Sequence, residues 1–366
     1  MPRTFDRSVR WGYVLPALLC SFLFYATTAT SAEVEGLYSA EVDVPAQTDE
    51  ARDIGIRAAL AAVLLKLTGD RGLASRADVA PFLAQAGKIV QQYQFHELPM
   101  QQEGMAPPVR LSASFDGNAV MAFLQEAAIP VWGRSRPSVL LWAVIEEGGT
   151  RAVFDPALRP DAKGLLETRA DQRGLPLVFP LWDLDDQQAL APADVWGNFT
   201  ETIQRASTRY RTNAVLVGRV FKRTGSDWTG RWTLYDTSGR FDWEVSAASA
   251  NEVLAAGVEG TADNMTKRYA QIMTPGSSEQ LNMVVTGVDS LARYGKVIQY
   301  LESLDAVSRV RVAGLEEMTL TLALQLRGSR DGLTHMIALG DVMVPQANSV
   351  LPTPDASPSL VYRMLP

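Results

Sequence analysis

The stretch AVLVGRVFKRTGSDWTGRWTLYDTSGRFDWEV, residues 214–245, decides how the chain folds, because it spells three consecutive strands and both turns between them. Residues 214–220 are almost unbroken apolar, which suits a strand covered on both faces. Trp228, Trp232 and Leu234 then alternate with Thr229, Arg231, Thr233 and Tyr235, the period of a half-covered strand. Asp236, Thr237, Ser238 and Gly239 make a turn, since Asp bonds its own backbone and Gly accepts positive φ. The third strand sets Phe241, Trp243 and Val245 against Arg240, Asp242 and Glu244. A slip of one residue would reverse these faces, so the register is well specified. The tryptophans read as core.

Working outward, the same logic divides 366 residues into modules and predicts a mixed α/β and α+β protein. In the middle module, residues 137–274, an apolar strand at 139–145 is followed by a helix over 162–173, a strand at 177–179 and helical segments over 192–210. The meander and a long helix over 251–272 complete a mixed-sheet α/β sandwich. The N-terminal α+β module spans 33–133. Its strand at 37–44 leads into a helix with Thr48 as cap, Asp49 and Glu50 in the first turn and Gly69 as stop. A helix over 79–92, strands at 91–98 and 109–115 and a helix over 118–127 follow. Pro275 to Ser278 read as a linker. Residues 280–345 then run strand, helix, strand, strand, helix, strand, the ferredoxin-like βαββαβ order. The remaining 346–366 is a Pro- and Ser-rich tail, expected to be mobile apart from a short strand at 360–363.

Residues 1–32 read as a secretory signal outside the fold. Arg3, Arg7 and Arg10 precede an apolar run from Tyr13 to Ala26, and Thr30, Ser31 and Ala32 form a small-residue exit, with cleavage expected near Ala32. Cys20, the single cysteine, leaves with it, so the mature chain has no thiol chemistry, and a periplasmic location fits best. No permanent membrane span is expected after cleavage. The signal also removes a net of two positive charges, taking the formal charge from −7 to −9. That balance disfavours nucleic acid as a partner.

Four stretches carry a family resemblance: YSAEVDV at 38–44, the helix RDIGIRAAL with KLTGD at 66–70, RPSVLLW at 136–142, and FPLWDLDD at 179–186. On these the chain resembles the proteobacterial family known as domain of unknown function 2066, which implies an exported envelope protein and no particular activity. The middle module is also similar to the α/β domains of TolB-type N-terminal regions, curli-secretion lipoproteins and lipoprotein activators of peptidoglycan synthases. Those domains bind partner proteins, although this chain lacks their lipid-anchor cysteine.

Candidate chemistry is sparse. Asp183, Asp185 and Asp186 form the densest acidic cluster and could hold a hard cation, though turn and cap use is the plainer reading. His96 and His335 lie in different modules, which leaves a zinc site short of ligands and a serine triad without a nucleophile elbow. No phosphate-binding loop occurs, and no cofactor is expected. Basic residues gather at the first hairpin of the middle module, where Arg219, Lys222, Arg223 and Arg231 offer either an edge-protecting charge set or a contact patch for an acidic partner. The expected function is therefore a non-catalytic binding or assembly factor of the cell envelope with a protein partner. The alternative is a carboxylate-based envelope hydrolase, cation-dependent through Asp183 and Asp185.

Overall fold

A computed structural model describes residues 32–98, 108–222, 227–237, 239–272, 279–340, 342–346 and 360–365. Three sheets, each with helices packed on it, account for most of them. The linker expected at 275–278 lies outside the described residues, as does most of the tail.

The N-terminal module holds β1 (Ala32–Glu33), β2 (Ser39–Val44), α1 (Asp49–Thr68), α2 (Ala80–Leu83), α3 (Ala86–Ile89), β3 (Val90–Glu97), β4 (Val109–Phe115) and α4 (Gly117–Glu126). Thr48 Oγ1 accepts from Ala51 N and starts α1; Gly69, at φ 65°, ends it. Every second residue of β4 is buried, and Leu60, Val63 and Leu64 of α1 close over that face. The helix expected over 79–92 is instead two single-turn helices that give way to β3 at Val90. Val90 to Glu97 is drawn into strand by pairing with β4, a non-local force that outweighs weak helix propensity.

In the middle module, β5 (Ser135–Arg136) pairs with β1. Then come β6 (Val139–Glu147), β7 (Thr150–Val153), α5 (Pro160–Arg173), β8 (Leu177–Val178), α6 (Leu184–Ala189), α7 (Pro192–Gly197), α8 (Thr200–Ser207), β9 (Ala214–Lys222), β10 (Trp228–Asp236), β11 (Gly239–Ala247) and α9 (Ala250–Tyr269). The sheet order is β11-β10-β9-β6-β7, with β8 beside the start of β6. Parallel β6 and β9 are central, and Val139 through Ile145 is wholly buried, as a continuous apolar run requires. Helices α5 and α9 cover one face, while α6, α7 and α8 cover part of the other. Strand β7 was not legible beforehand. Gly148 and Gly149, both at positive φ, turn it back on β6.

The last module contains β12 (Glu279–Thr286), α10 (Leu291–Ser303), β13 (Val307–Glu316), β14 (Thr319–Leu326), α11 (Arg330–Leu339), β15 (Met343–Pro345) and β16 (Leu360–Met364). A bare βαββαβ unit would set its last strand beside its first. Here β16 takes that place, parallel to β12 and antiparallel to β15, giving the order β13-β14-β12-β16-β15. Tyr362 and Met364 point into the core while Arg363 stays exposed; this alternation makes the short strand worth inserting.

The first two modules are joined through buried cations. Arg136 is fully buried, lies over the Trp132 ring at 4.1 Å, and donates to the carbonyls of Gly133, Arg173, Gly174, Lys66 and Trp132 at 2.7–2.9 Å. Two of those carbonyls belong to the ends of α1 and α5, where helix dipoles favour a cation. Burial pushes the guanidinium down to about 9, still far enough above neutrality to keep it charged. Beside it, Arg173 reaches Glu259 and Asp263, both at 2.6 Å, and Arg71 of the first module meets the same two acids at 3.0 and 2.9 Å.

Candidate partner-binding groove

The site is built on a tryptophan pair. Trp232 of β10 and Trp243 of β11 face each other across the strands, on the side where α9 packs. Four glycines make room for them. A Cβ on Gly218 or Gly257 would stand 2.3 or 2.2 Å from the Trp232 ring, one on Gly230 2.6 Å from its Nε1, and one on Gly260 2.5 Å from Trp243 Nε1. With these seats on its inner face, α9 can approach the sheet closely. The Trp243 indole N–H is buried with no hydrogen-bond partner.

Strand β11 is the outer strand of this sheet, and nothing pairs with its far side among the described residues. Its nine residues run in unbroken register with β10. Next to it lies an open groove of about 810 Å³, lined by Trp243, Val245, Leu165, Ala255, Ala256 and Gly260, with charged Arg71, Arg169, Glu252, Glu259, Asp263 and Lys267 also facing it. A row of unpaired backbone groups beside a hollow with both apolar and charged walls can take an extended chain. Main-chain hydrogen bonds hold such a chain, and alternate side chains enter the hollow.

The opposite face carries the basic residues singled out in the sequence, and the structure brings two of them together. Arg219 and Arg231 are direct cross-strand neighbours. Lys222 is exposed on the other face of β9, and Arg223 lies outside the described residues. Arg231 Nε pairs with Glu244 at 2.9 Å, and Arg240 with Asp242 at 2.8 Å. Arg219 Nε is buried without a partner, and burial, reinforced by Arg231, pushes its guanidinium down. Sequence reasoning missed the aromatic half of this face. Arg151 stacks on Trp196 at 4.0 Å, Trp196 meets Phe221 edge-on, and Arg231 lies 5.6 Å from the Phe221 ring. Each such contact is worth about 0.5–1 kcal/mol at an exposed site. Of the expected basic patch, Arg231 is thus engaged within the sheet itself.

The acidic cluster is committed too. Asp183 caps α6 by accepting from Asp186 N and is held by both Arg209 terminal nitrogens, at 2.7 and 2.9 Å. Arg209, with the backbone N–H bonds, holds its carboxyl down to about 2. Asp186 is fully buried, accepting from Trp182 N, Arg209 and the Tyr210 hydroxyl. Burial and Asp186 push that hydroxyl up to about 12. Asp185 is exposed in the first turn of α6. Among the described residues no three histidine, cysteine or acidic side chains converge in a way that could hold a metal ion.

Fold and groove together define a modular α/β protein whose central sheet has one open edge and a groove of mixed apolar and charged lining beside it. Residues 31–133 match the family model described as Domain of unknown function (DUF8605). The match covers the first module and well under half of the chain. It corrects the resemblance to domain of unknown function 2066, because the N-terminal stretches that carried it fall inside the DUF8605 match. It stops at residue 133 and so lends nothing to the likeness between the middle module and TolB-type or curli-secretion domains. No curated protein matches the chain.

Proposed function

We propose that this protein is a non-catalytic binding or assembly factor of the cell envelope, working in the periplasm, and that it captures an extended segment of a partner protein along β11. The carrying observation is the open, unbulged nine-residue edge of β11 beside the 810 Å³ groove. Long regular edges are a hazard that folds usually blunt with charges, bulges or a covering element. On β11 itself the charged side chains lie on one face only, and the other face, with Trp243 and Val245, borders a groove whose lining mixes apolar and charged residues. The periplasmic part rests on the basic, apolar and small-residue order of positions 1–32. No described helix is long and apolar enough to cross a membrane.

A photo-cross-linking residue at Val245, on β11 and lining the groove, should yield one adduct of defined mass in intact cells. The same probe at Glu50, in the first turn of α1, should not. A Val245 probe that never cross-links, or one that captures the same species as Glu50, would remove the reading. Fractionation with N-terminal sequencing tests the compartment: the periplasmic species should begin near Glu33.

A further inference from the structure

The last sheet keeps one face uncovered. Helices α10 and α11 pack against the side that carries Leu320, Leu322 and Leu324, so Gln325 and Ala323 of β14, Arg309 and Arg311 of β13, and Gln280 and Asn282 of β12 face outward in register. Arg309 and Arg311 have no carboxylate partner among the described residues, and neither does Arg327 just beyond β14. Elsewhere in the fold arginines such as Arg71, Arg110, Arg173, Arg209, Arg240 and Arg268 are all salt-bridged.

Three hollows run on from this face. One of about 220 Å³ is lined by Arg309, Arg311, Gln280 and Gln325. The next, about 470 Å³, shares Arg309 and adds Ser303, Ser308, Glu302 and Arg327. A third, about 550 Å³, shares Arg327, Arg134 and Asp305 with the second and is walled by Tyr38, Gln91, Asn118 and Gln125 of the first module. The shared residues make one track from the open sheet, around the β13 edge, to the junction with the N-terminal module. Arg134 N donates to Asp305 at 2.6 Å and holds that junction together.

We infer that this track binds a carboxylate-bearing glycan strand. Amides, serine and tyrosine hydroxyls and the Glu302 carboxylate supply donors and acceptors suited to an array of sugar hydroxyls. The unpaired guanidiniums match carboxylates in bidentate geometry. An acidic peptide fits less well, because the lining is mostly polar and offers little apolar surface for side chains, whereas its amides and hydroxyls can serve the hydroxyl groups that only a sugar presents. This site is independent of the β11 groove and can fail or stand without it.

The test is calorimetric titration of the full chain with oligogalacturonate, neutral dextran oligosaccharide and oligoglutamate, at low and moderate salt. Oligogalacturonate should bind, dextran at least tenfold more weakly, and the double variant Arg309→Ala/Arg311→Ala should lose at least tenfold for oligogalacturonate. Arg309→Lys/Arg311→Lys should recover only part of this, since an ammonium keeps the charge without the fork. Both pairs are exposed and unpaired, so melting temperatures should match the parent and separate loss of binding from loss of fold. Oligoglutamate binding as tight as oligogalacturonate, no oligogalacturonate binding, or a double variant that binds normally would each overturn the assignment.

Discussion

At Asp183 one carboxylate serves a helix end and an ion pair at once, and the pH dependence of the fold should register it. Its folded value of about 2 lies below the ordinary 3.8. The unfolded chain therefore takes up the proton first as pH falls. The stabilisation is whole above about pH 4 and drains away as pH drops towards 2. Asp183→Asn should flatten the fall in melting temperature across that window by lowering the neutral value towards the acid one, by a modest amount because the pair is solvent-exposed. Melts at half-unit pH steps would show this, and an unaltered acid limb would mean the Arg209 contact contributes nothing. The cap was readable from Asp at a loop end. The buried bond from Tyr210 to Asp186 was not, because it links positions 24 apart whose meeting depends on tertiary folding.

For the pairing of α9 with the meander, two opposing magnitudes can be compared directly. Gly257→Ala would gain about 1 kcal/mol of helix propensity. The new methyl would meet Trp232 at 2.2 Å, and that ring is already hemmed in by Gly218 and Gly230; overpacking of this kind costs about 1–3 kcal/mol. The clash should win, so Gly257→Ala is expected to unfold earlier in denaturant. Gly164→Ala in α5, with nothing within 4 Å, should instead gain up to about 1 kcal/mol. If both shift the midpoint the same way, the tight seat is wrong. Elements of this middle region were legible because alternation in β10 and β11 and an unbroken apolar run in β6 are local signals. Strand β7, the early end of the second helical region and the placement of β16 depend on partners far along the chain. The groove was half legible for the same reason: Trp243 and Val245 share a face by simple period-two counting, whereas Leu165, Arg169 and Arg71 reach it from other elements.

Across the whole molecule, the joint at Arg136 determines whether the first two modules behave as one body. Five carbonyls, four of them in buried bonds, depend on a single guanidinium, from residues up to 70 positions away. Arg136→Met fills similar volume but leaves those acceptors without a donor, a loss of about 3 kcal/mol or more. Calorimetry should then resolve two transitions where the parent shows the modules melting together, and protease should cut between residues 131 and 138. Arg136→Lys should rescue little, since one ammonium cannot serve both helix ends. A single unshifted transition in Arg136→Met would show that the Arg71 and Arg173 network carries the joint alone.

The insertion of β16 between β12 and β15 bears on how the chain is made. Synthesis proceeds from the amino end, so β12 must wait, its edge bare, until Leu360–Met364 has been delivered. The third module is consequently the last to close. A premature stop anywhere after Pro345 but before Leu360 would strand two sticky edges rather than merely trim a loose end.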